Sequence, residues 1–291
     1  MPVQFPPIDR ILGIVRMAIT EDVGSGDVTS STFIPPGAKA EGHLLAKDDM
    51  VLCGLPVAEL VFRELDHDCG LLATAADGDE LKKGAAFATV TGNARAILAA
   101  ERTALNFMQR MSGIATLTRE FVRRLKPTAA LVYDTRKTTP LLRELEKYAV
   151  RVGGGRNHRM GLYDQILIKD NHLAVLNDAG VDVFNTIEGL DREKLPKIEV
   201  EVTSVEDAVK ALEAGADIIM LDNMNADGIR EAVHAVSERA GKLNMPVPEL
   251  EASGGITLET IAGIAETGVH RISVGSLTHS ARAMDISLEI V

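Results

Sequence analysis

Cationic residues are concentrated in one stretch of an acidic chain. Positions 136 to 169 carry eight Lys or Arg residues and three Asp or Glu residues, whereas the whole chain has a net charge of -11. A local excess of cations in an acidic protein favours binding of a small, multiply charged anion. Recognition of an anionic small molecule is therefore the chemistry that we predict for this stretch.

Two groups can be distinguished among these cations. The first recurs at a spacing of four, as expected for one solvated face of a helix: Arg143, Lys147 and Arg151. The second lies at predicted strand ends or in Gly-rich loops, where binding residues are concentrated: Arg136, Lys137, Arg159 and Lys169. We predict that the second group holds the anion.

Carboxylates end two neighbouring apolar segments. Glu199 and Glu201 stand two residues apart on a predicted strand and therefore share a face, and Asp222 follows the apolar run DIIML. A buried carboxylate needs a metal, a cation or a ligand hydroxyl as partner. Metal or ribose binding is one interpretation, and a structural ion pair with Lys or Arg is the other.

Glycine turns follow two further strands, in SGG at positions 253 to 255 and VGS at positions 274 to 276. Glycine there allows backbone amides to approach a phosphate at a helix N-terminus. Each turn alone also fits an ordinary tight turn. Together with the cations and the acids, the two turns indicate phosphoribosyl chemistry.

A repeated unit of apolar strand, polar cluster and amphipathic helix positions these residues. The predicted strands are LVYDT, QILIKD, KIEVEV, DIIMLDN, ELEASG and RISVG. Alternating strands and helices predict a parallel sheet, and in a closed β/α barrel all carboxyl ends surround one mouth. Positions 129 to 276 are too few for an eight-fold barrel, so we expect six or seven strands. An open doubly wound sheet is the alternative.

The N-terminal third has a different pattern. Ile8, Leu12, Val15 and Ile19 recur at helical spacing, GDVTSSTFIPPG reads as turns, and AEGHLLAKDDMVLCGL reads as paired short strands. One or two long helices between positions 94 and 125 link this part to the barrel. We predict an α/β domain at 1–115, the barrel at 116–276, and a last strand, within 277–291, that returns to the first domain.

Composition excludes several classes of protein. Aromatic residues make up 3% of the chain and the charge is negative, which argues against a nucleic-acid partner. We find no apolar run of 18 residues and no secretory pattern in MPVQFPPIDR, so we expect no membrane partner and a cytoplasmic location. Cys53 and Cys69 are expected to be free thiols.

Motifs along almost the whole chain resemble those of the quinolinate phosphoribosyltransferases, a family also called carboxylating nicotinate-nucleotide pyrophosphorylases. The most specific are DTRKT, GGGRNHR and LIKDNH, and AERT, EVEVTSVEDA and LEASGG agree as well. One departure is Leu141, where the family usually has glycine. The resemblance implies an N-terminal α/β sandwich domain, an incomplete β/α barrel of TIM type, and a homodimer in which Arg102 completes the partner's site.

The resemblance also assigns roles to residues. It implies that quinolinate is bound by Arg102, Thr135, Arg136, Lys137, His158 and Arg159. It implies that phosphoribosyl pyrophosphate is bound by Lys137, Lys169, Glu201, Asp222, Ser253, Gly254, Gly255, Val274, Gly275 and Ser276. The catalytic set would be Lys137, Lys169, Glu201 and Asp222, with Mg²⁺ at the two acids. For His158 we favour donation to the ligand over a role in positioning Arg159.

The activity so implied is transfer of a phosphoribosyl group to quinolinate with decarboxylation, which gives nicotinate mononucleotide, pyrophosphate and CO₂ for NAD biosynthesis. Three other interpretations remain open. A paralogous phosphoribosyltransferase or pyrophosphorylase would act on another anionic compound. A Schiff-base lyase would use Lys169, because such lysines also end barrel strands. A non-catalytic dicarboxylate sensor would not need Mg²⁺.

Overall fold

A computed structural model describes residues 3–291, which form two compact units. The first unit comprises the chain up to Arg119 together with Lys137–Gly155 and Ser276–Val291. The second comprises Glu120–Arg136 and Arg156–Gly275. Each unit therefore contains segments that are far apart in the sequence.

The secondary structure follows in chain order. The helices are α1 (Ile8–Val23), α2 (Val28–Phe33), α3 (Leu55–Leu65), α4 (Ala94–Arg124), α5 (Arg143–Val152), α6 (Asp170–Asp178), α7 (Val183–Glu188), α8 (Val205–Glu213), α9 (Ala226–Leu243), α10 (Ile261–Ala265) and α11 (Ser276–His279). The strands are β1 (Lys39–Ala46), β2 (Met50–Val51), β3 (Gly70–Ala73), β4 (Glu80–Leu81), β5 (Ala86–Asn93), β6 (Leu131–Tyr133), β7 (Ile166–Ile168), β8 (Ile198–Val202), β9 (Ile218–Asp222), β10 (Glu249–Ser253), β11 (Arg271–Ser273) and β12 (Ile286–Ile290). Within residues 3–291, no helix combines the length and the apolar character needed to cross a bilayer.

An antiparallel sheet in the order β12-β1-β5-β3 forms the centre of the first unit. The prediction that β1 and β2 pair with each other is wrong, because longer strands occupy both edges of β1 and β2 pairs with β4 instead. The predicted long helix is the single helix α4. Cys53 and Cys69 are buried free thiols, as expected.

Helix α2 lies where the sequence predicted turns. The Asp27 side chain accepts a hydrogen bond from the Ser30 amide at 3.0 Å and thereby caps the helix N-terminus. Aspartate and serine are common both in turns and at N-caps, so their presence alone favoured the wrong structure.

Helix α5 is buried on most of its surface, and this corrects a second expectation. Arg143, Lys147 and Arg151 were predicted to form a solvated face, but the Lys147 side chain is 1% exposed. Its helix neighbours Leu145, Tyr148 and others are also buried. The spacing of four therefore marks one side of a helix that is surrounded by protein.

Six parallel strands form the sheet of the second unit, in the order β6-β11-β10-β9-β8-β7. Strands β7 to β11 are neighbours in chain order, and the first strand, β6, pairs with the last, β11. A doubly wound sheet would reverse its order at a switch point. The order is thus that of a β/α barrel, incomplete at six strands, and the doubly wound alternative is wrong.

Leu141, the residue at which the family usually has glycine, has a left-handed backbone with φ of 68°. For a residue other than glycine, this backbone conformation reduces the stability of the fold by about 1–2 kcal/mol. Glycine avoids that cost, but it loses more conformational entropy on folding, which offsets about 0.5–1 kcal/mol of the gain. We predict that Leu141→Gly raises the free energy of unfolding by about 0.5–1 kcal/mol, measured by chemical denaturation.

Leu162 provides the control for this prediction. It is similarly exposed, at 74% against 69% for Leu141, and it is not among the non-glycine residues with positive φ. Leu162→Gly should therefore destabilise the protein. If both glycine variants lost stability to the same extent, the strain at Leu141 would be refuted.

Candidate active site

The carboxyl ends of the barrel strands bring several predicted site residues to one edge of the sheet. In the strand register, Asp222 on β9 is level with Ser253 on β10, and Ser253 is level with Ser273 on β11. Glu201 lies near the end of the neighbouring β8, and Lys169 directly follows β7. The structure thus places Lys169, Glu201, Asp222 and Ser253 at the same edge, as the sequence indicated.

Lys169 and Glu201 form an ion pair across adjacent strands. The Lys169 Nζ lies 3.0 Å from Glu201 Oε2, and the two side chains are 44% and 10% exposed. A Schiff-base lysine needs a desolvated, neutral amine. The half-exposed and ion-paired Lys169 does not have that environment, which disfavours the lyase interpretation.

A cavity of about 530 Å³ opens beside Glu201. It is bordered by α6 and α7 on one side and by the β8 end with α8 on the other, and its polar lining includes Asp170, Thr203 and Lys210. Its volume falls within the range of about 300–1,000 Å³ that is usual for small-molecule sites. Among the described residues of its lining, Glu201 is the one predicted site residue, so the cavity provides space for a small molecule beside Glu201, among α6, α7 and α8.

Asp222 is held by its neighbour Asn223. The Asn223 Nδ2 donates to Asp222 Oδ2 at 2.6 Å, and the Asn223 amide donates to the Ser253 carbonyl at 2.9 Å. Asn223 has a left-handed φ of 53°, and Gly254 has a φ of 93°. A Cβ at Gly254 would overlap Asn223 Oδ1, so the glycine is required for Asn223 to hold Asp222.

This arrangement predicts the effect of Gly254→Ala. The added methyl group should displace Asn223 and with it Asp222, and a misplaced catalytic group costs about 10-fold or more in rate. We expect a loss of that size in kcat/KM for the transfer reaction that the resemblance implies, measured by steady-state kinetics.

Gly268→Ala is the matched control for this substitution. Its φ of 95° gives the same backbone strain, but its Cβ would make only ordinary contact with a side-chain atom of Val233 at 3.4 Å. This variant should keep its kinetic constants. Equal losses at the two positions would attribute the effect to backbone strain and not to Asn223.

Arg136 and Arg159 each carry a buried guanidinium nitrogen near the barrel mouth, and Nη1 of Arg159 donates to the Gln165 carbonyl at 3.1 Å. Within residues 3–291, the buried Nε atoms of Arg136 and Arg159 have no hydrogen-bond acceptor. Burial lowers the pKa of Arg159 from its ordinary value, and the nearby positive charge of Arg136 lowers that pKa further. Glu199 and Asp164 offset part of this lowering. A bound anion beside the buried Arg159 and the half-buried Arg136 would stabilise both charges further.

His158 is fixed by contacts at both ring nitrogens. Its Nδ1 accepts from the Arg159 amide at 2.8 Å, which leaves the ring proton on Nε2, 3.1 Å from Glu199 Oε2. Its own amide donates to Asp134 at 2.8 Å, and the Asn157 side chain donates to the same carboxylate at 2.5 Å. These contacts favour the positioning role, and direct donation to quinolinate stays a prediction.

A buried charged cluster lies beside His158. Ligand atoms of His158, Glu199 and Glu251 lie within 4.8 Å of one another, a spacing that would suit a metal ion. Arg271 already pairs with Glu251 at 2.7 Å, and Ser273 donates to Glu251 at 2.5 Å. Burial is the main cause that raises the pKa of Glu251 to about 7, and repulsion from the Glu199 carboxylate is the second. Because the charged groups of this cluster are paired with one another, we interpret the cluster as a structural support that holds His158.

Glu251 and Arg271 were not among the predicted site residues. Glu251 stands two residues before Ser253 in ELEAS and therefore shares its face, so a charge within this apolar strand was the available signal. The contact with Arg271 depends on the register of β10 with β11, which places Arg271 opposite Glu251 and which the sequence did not reveal.

Other predicted residues are placed as follows. Three belong to the first unit: Arg102, Lys137 and Ser276. The Arg102 side chain is 57% exposed, with Nη2 3.8 Å from Glu101. In the second unit, Val274 is buried and its amide donates to the Tyr133 carbonyl at 2.9 Å, while Thr135 and Gly275 are partly buried.

A parallel β/α barrel whose strand ends carry cations, carboxylates and glycine turns defines an enzyme for anionic, phosphorylated substrates. Residues 114–289 match the family described as "Quinolinate phosphoribosyl transferase, C-terminal domain", and residues 27–112 match its N-terminal domain. The chain belongs to the quinolinate phosphoribosyltransferase family.

Individual relatives agree with this assignment. The chain is 42% identical over 301 aligned residues to a mitochondrial quinolinate phosphoribosyltransferase (decarboxylating) of Nicotiana tabacum. The alignment covers 98% of this chain and 83% of the relative. It is also 42% identical to a probable nicotinate-nucleotide pyrophosphorylase (carboxylating) of Bacillus subtilis, over 93% of this chain and 90% of the relative. The solved structure of NadC from Streptococcus pyogenes has a TM-score of 0.90 at 38% identity and covers 99% of both chains.

Proposed function

We propose that this chain transfers the phosphoribosyl group of phosphoribosyl pyrophosphate to quinolinate and releases pyrophosphate and CO₂. The product is nicotinate mononucleotide, a precursor of NAD. The observation that carries the proposal is the pair of guanidinium groups at Arg136 and Arg159, whose buried Nε atoms lack acceptors within residues 3–291. The family and the names of its members support the same reaction.

Quinolinate carries two carboxylates on adjacent ring carbons. Planar guanidinium forks bind carboxylates in a bidentate manner, and two forks are needed to hold two such groups on one rigid ring. In the proposal, Arg136 and Arg159 provide these forks, with Thr135, Lys137 and His158 nearby in sequence. His158 and the cluster behind it fix the backbone of Arg159.

In the transfer step, the ring nitrogen attacks C1 of the ribose while the bond to pyrophosphate breaks. The carboxylates of Glu201 and Asp222 stabilise the positive charge that develops on the ribose. Lys137 and Lys169 bind the departing pyrophosphate, and the glycine turns at Gly254, Gly255 and Gly275 bind the 5-phosphate through backbone amides. Val274, Ser253 and Ser276 flank these turns in sequence.

The donor set at the strand ends suits Mg²⁺. Carboxylate oxygens on adjacent strands, at Glu201 and Asp222, are hard ligands, and Mg²⁺ is usually bound through one or two carboxylates plus substrate phosphates. When bound, the ion neutralises charge on the pyrophosphate leaving group. Glu201 also pairs with Lys169, so its carboxylate would be shared between Mg²⁺ and the lysine.

Decarboxylation then follows without an organic cofactor. The pyridinium ring formed by the transfer accepts the electron pair that remains on the ring carbon when the adjacent carboxylate leaves as CO₂. That carbon then takes up a proton from water, which gives nicotinate mononucleotide. The protein has only to hold the adduct, which the guanidinium groups of Arg136 and Arg159 do through the remaining carboxylate.

The proposal includes a homodimer in which Arg102 of one subunit reaches the site of the other. Arg102 lies on α4 with an exposed side chain, and its ion pair within the described part of the chain is a long one, to Glu101 at 3.8 Å, so it is available to a partner subunit. We also propose a cytoplasmic location, although several plant relatives are mitochondrial or chloroplastic by name.

The decisive test compares quinolinate with nicotinate, each incubated with phosphoribosyl pyrophosphate and Mg²⁺. Nicotinate lacks the second carboxylate, which leaves one guanidinium unpaired, and such a loss costs about 10⁴-fold or more in kcat/KM. We expect nicotinate mononucleotide and pyrophosphate from quinolinate and very slow turnover of nicotinate. Equal turnover of both compounds would contradict the proposal, and binding without pyrophosphate release would indicate the dicarboxylate sensor.

A further inference from the structure

A buried carboxylate on α5 has no part in the site described above. The Glu146 side chain is 1% exposed, and a buried charge is costly unless it is paired and hydrogen-bonded. Arg110 of α4 satisfies the charge, with Nη2 at 2.8 Å and Nε at 3.1 Å from Glu146 Oε1. Both residues belong to the first unit.

The remaining bonds of Glu146 go to the loop that follows Lys137. Its Oε2 accepts from the Thr139 amide at 3.1 Å, and its Oε1 accepts from the Thr139 hydroxyl at 2.8 Å. Bonds to an ionised acceptor are stronger than neutral ones. The carboxylate therefore fixes the backbone two residues after Lys137.

A second connection reaches Lys137 itself. The Thr278 side chain is fully buried, and its hydroxyl donates to the Lys137 carbonyl at 2.7 Å. Arg110 donates to the carbonyl of Thr278 and, at 2.9 Å, to that of Ala281. The Arg110 guanidinium thus links Glu146, which holds the backbone after Lys137, to Thr278, which holds the Lys137 carbonyl.

We infer that Glu146, Arg110 and Thr278 are positioning residues that fix the backbone of Lys137 for its contact with pyrophosphate. The inference rests on the proposed role of Lys137. Burying a charged pair stabilises a fold no more than apolar packing would, but it defines one geometry. Such geometry matters because a displacement of about 1 Å at a catalytic group costs about 100-fold in rate.

The test uses isosteric pairs at two threonines. Thr278→Val removes the hydroxyl that donates to the Lys137 backbone carbonyl, whereas Thr278→Ser keeps that hydroxyl. Thr139→Val and Thr139→Ser form a second pair at an exposed position, which keeps the test informative if the buried valine prevents folding. Kinetic constants, inhibition by pyrophosphate and thermal midpoints are measured for all four variants and for Lys137→Ala.

We expect each valine variant to lose about 10-fold or more in kcat and to be inhibited more weakly by pyrophosphate, with KM for quinolinate nearly unchanged. The serine variants should retain both properties. If valine and serine variants behaved alike while Lys137→Ala was inactive, the positioning role would be refuted and the proposed function would stand. An active Lys137→Ala would refute the role of Lys137 and the inference with it.

Discussion

Replacing Glu201 by Gln and Asp222 by Asn in one chain should reduce kcat by about 1,000-fold or more and leave quinolinate binding intact. Removal of one electrostatic group that stabilises a transition state costs about 10²–10³ in kcat, and two groups that act together are not additive. Both side chains lie at ends of adjacent strands, on the phosphoribosyl side of the proposed site. Their loss should therefore affect the transfer step and not the guanidinium forks.

Calorimetric titration with quinolinate separates the two effects. A control variant carries Glu206→Gln and Asp227→Asn, which neutralise exposed acids at the starts of α8 and α9, directly after the same strands. Among residues 3–291, these acids pair with nearby residues on their own helices, Lys210 and Arg230, so the control should retain activity. A loss of quinolinate affinity as large as the loss of kcat would show that the roles of Glu201 and Asp222 are wrong.

The second large effect is the recovery of activity when two inactive variants are mixed. Arg102→Ala and Lys137→Ala should each lose about 30-fold or more in kcat/KM, since a buried carboxylate or phosphate loses its cation. In a mixed dimer with shared sites, one site contains both substitutions and the other contains neither. Equal mixing with free exchange should then restore about a quarter of all sites.

The same mixture gives no recovery if Arg102 serves its own barrel, because every site would then carry one substitution. Its contact with Glu101, at 3.8 Å and exposed, would in that case be its only role. Mixing two preparations of Arg102→Ala is the control for any gain in activity that the mixing procedure itself produces. Activity that stays at the level of the separate variants, with exchange demonstrated, would exclude the shared site.

The barrel and much of its edge were predictable from the sequence because each strand is a short apolar run that ends in a polar residue. Parallel strands must bring such ends together, so Lys169, Glu201 and Asp222 could be grouped before their positions were known. Glycine was likewise informative at Gly254, where a positive φ and the neighbouring Asn223 exclude a side chain.

The supports of the site were not predictable, for a physical reason. Glu251 with Arg271, and Glu146 with Arg110, are contacts between segments that only strand pairing or helix packing brings together. The periodicity of apolar residues along a helix or strand predicts which face a side chain occupies, but it does not predict which other segment packs against that face. Lys147 shows the same limit, because a cation at helical spacing was read as solvated although α5 is enclosed by protein.

The pairing of β12 with β1 has a consequence for how the chain is made. Gly42 pairs with Ile290, so β1 must wait for a partner strand that emerges from the ribosome only after all the barrel strands, β6 to β11. Until then β1 presents an unpaired edge, and such edges promote aggregation. Closure over so long a loop is also slow. A nascent chain that stalls before β12 would therefore contain all six barrel strands but leave one edge of β1 unpaired. Chaperones that bind exposed strand edges would be expected to capture this form.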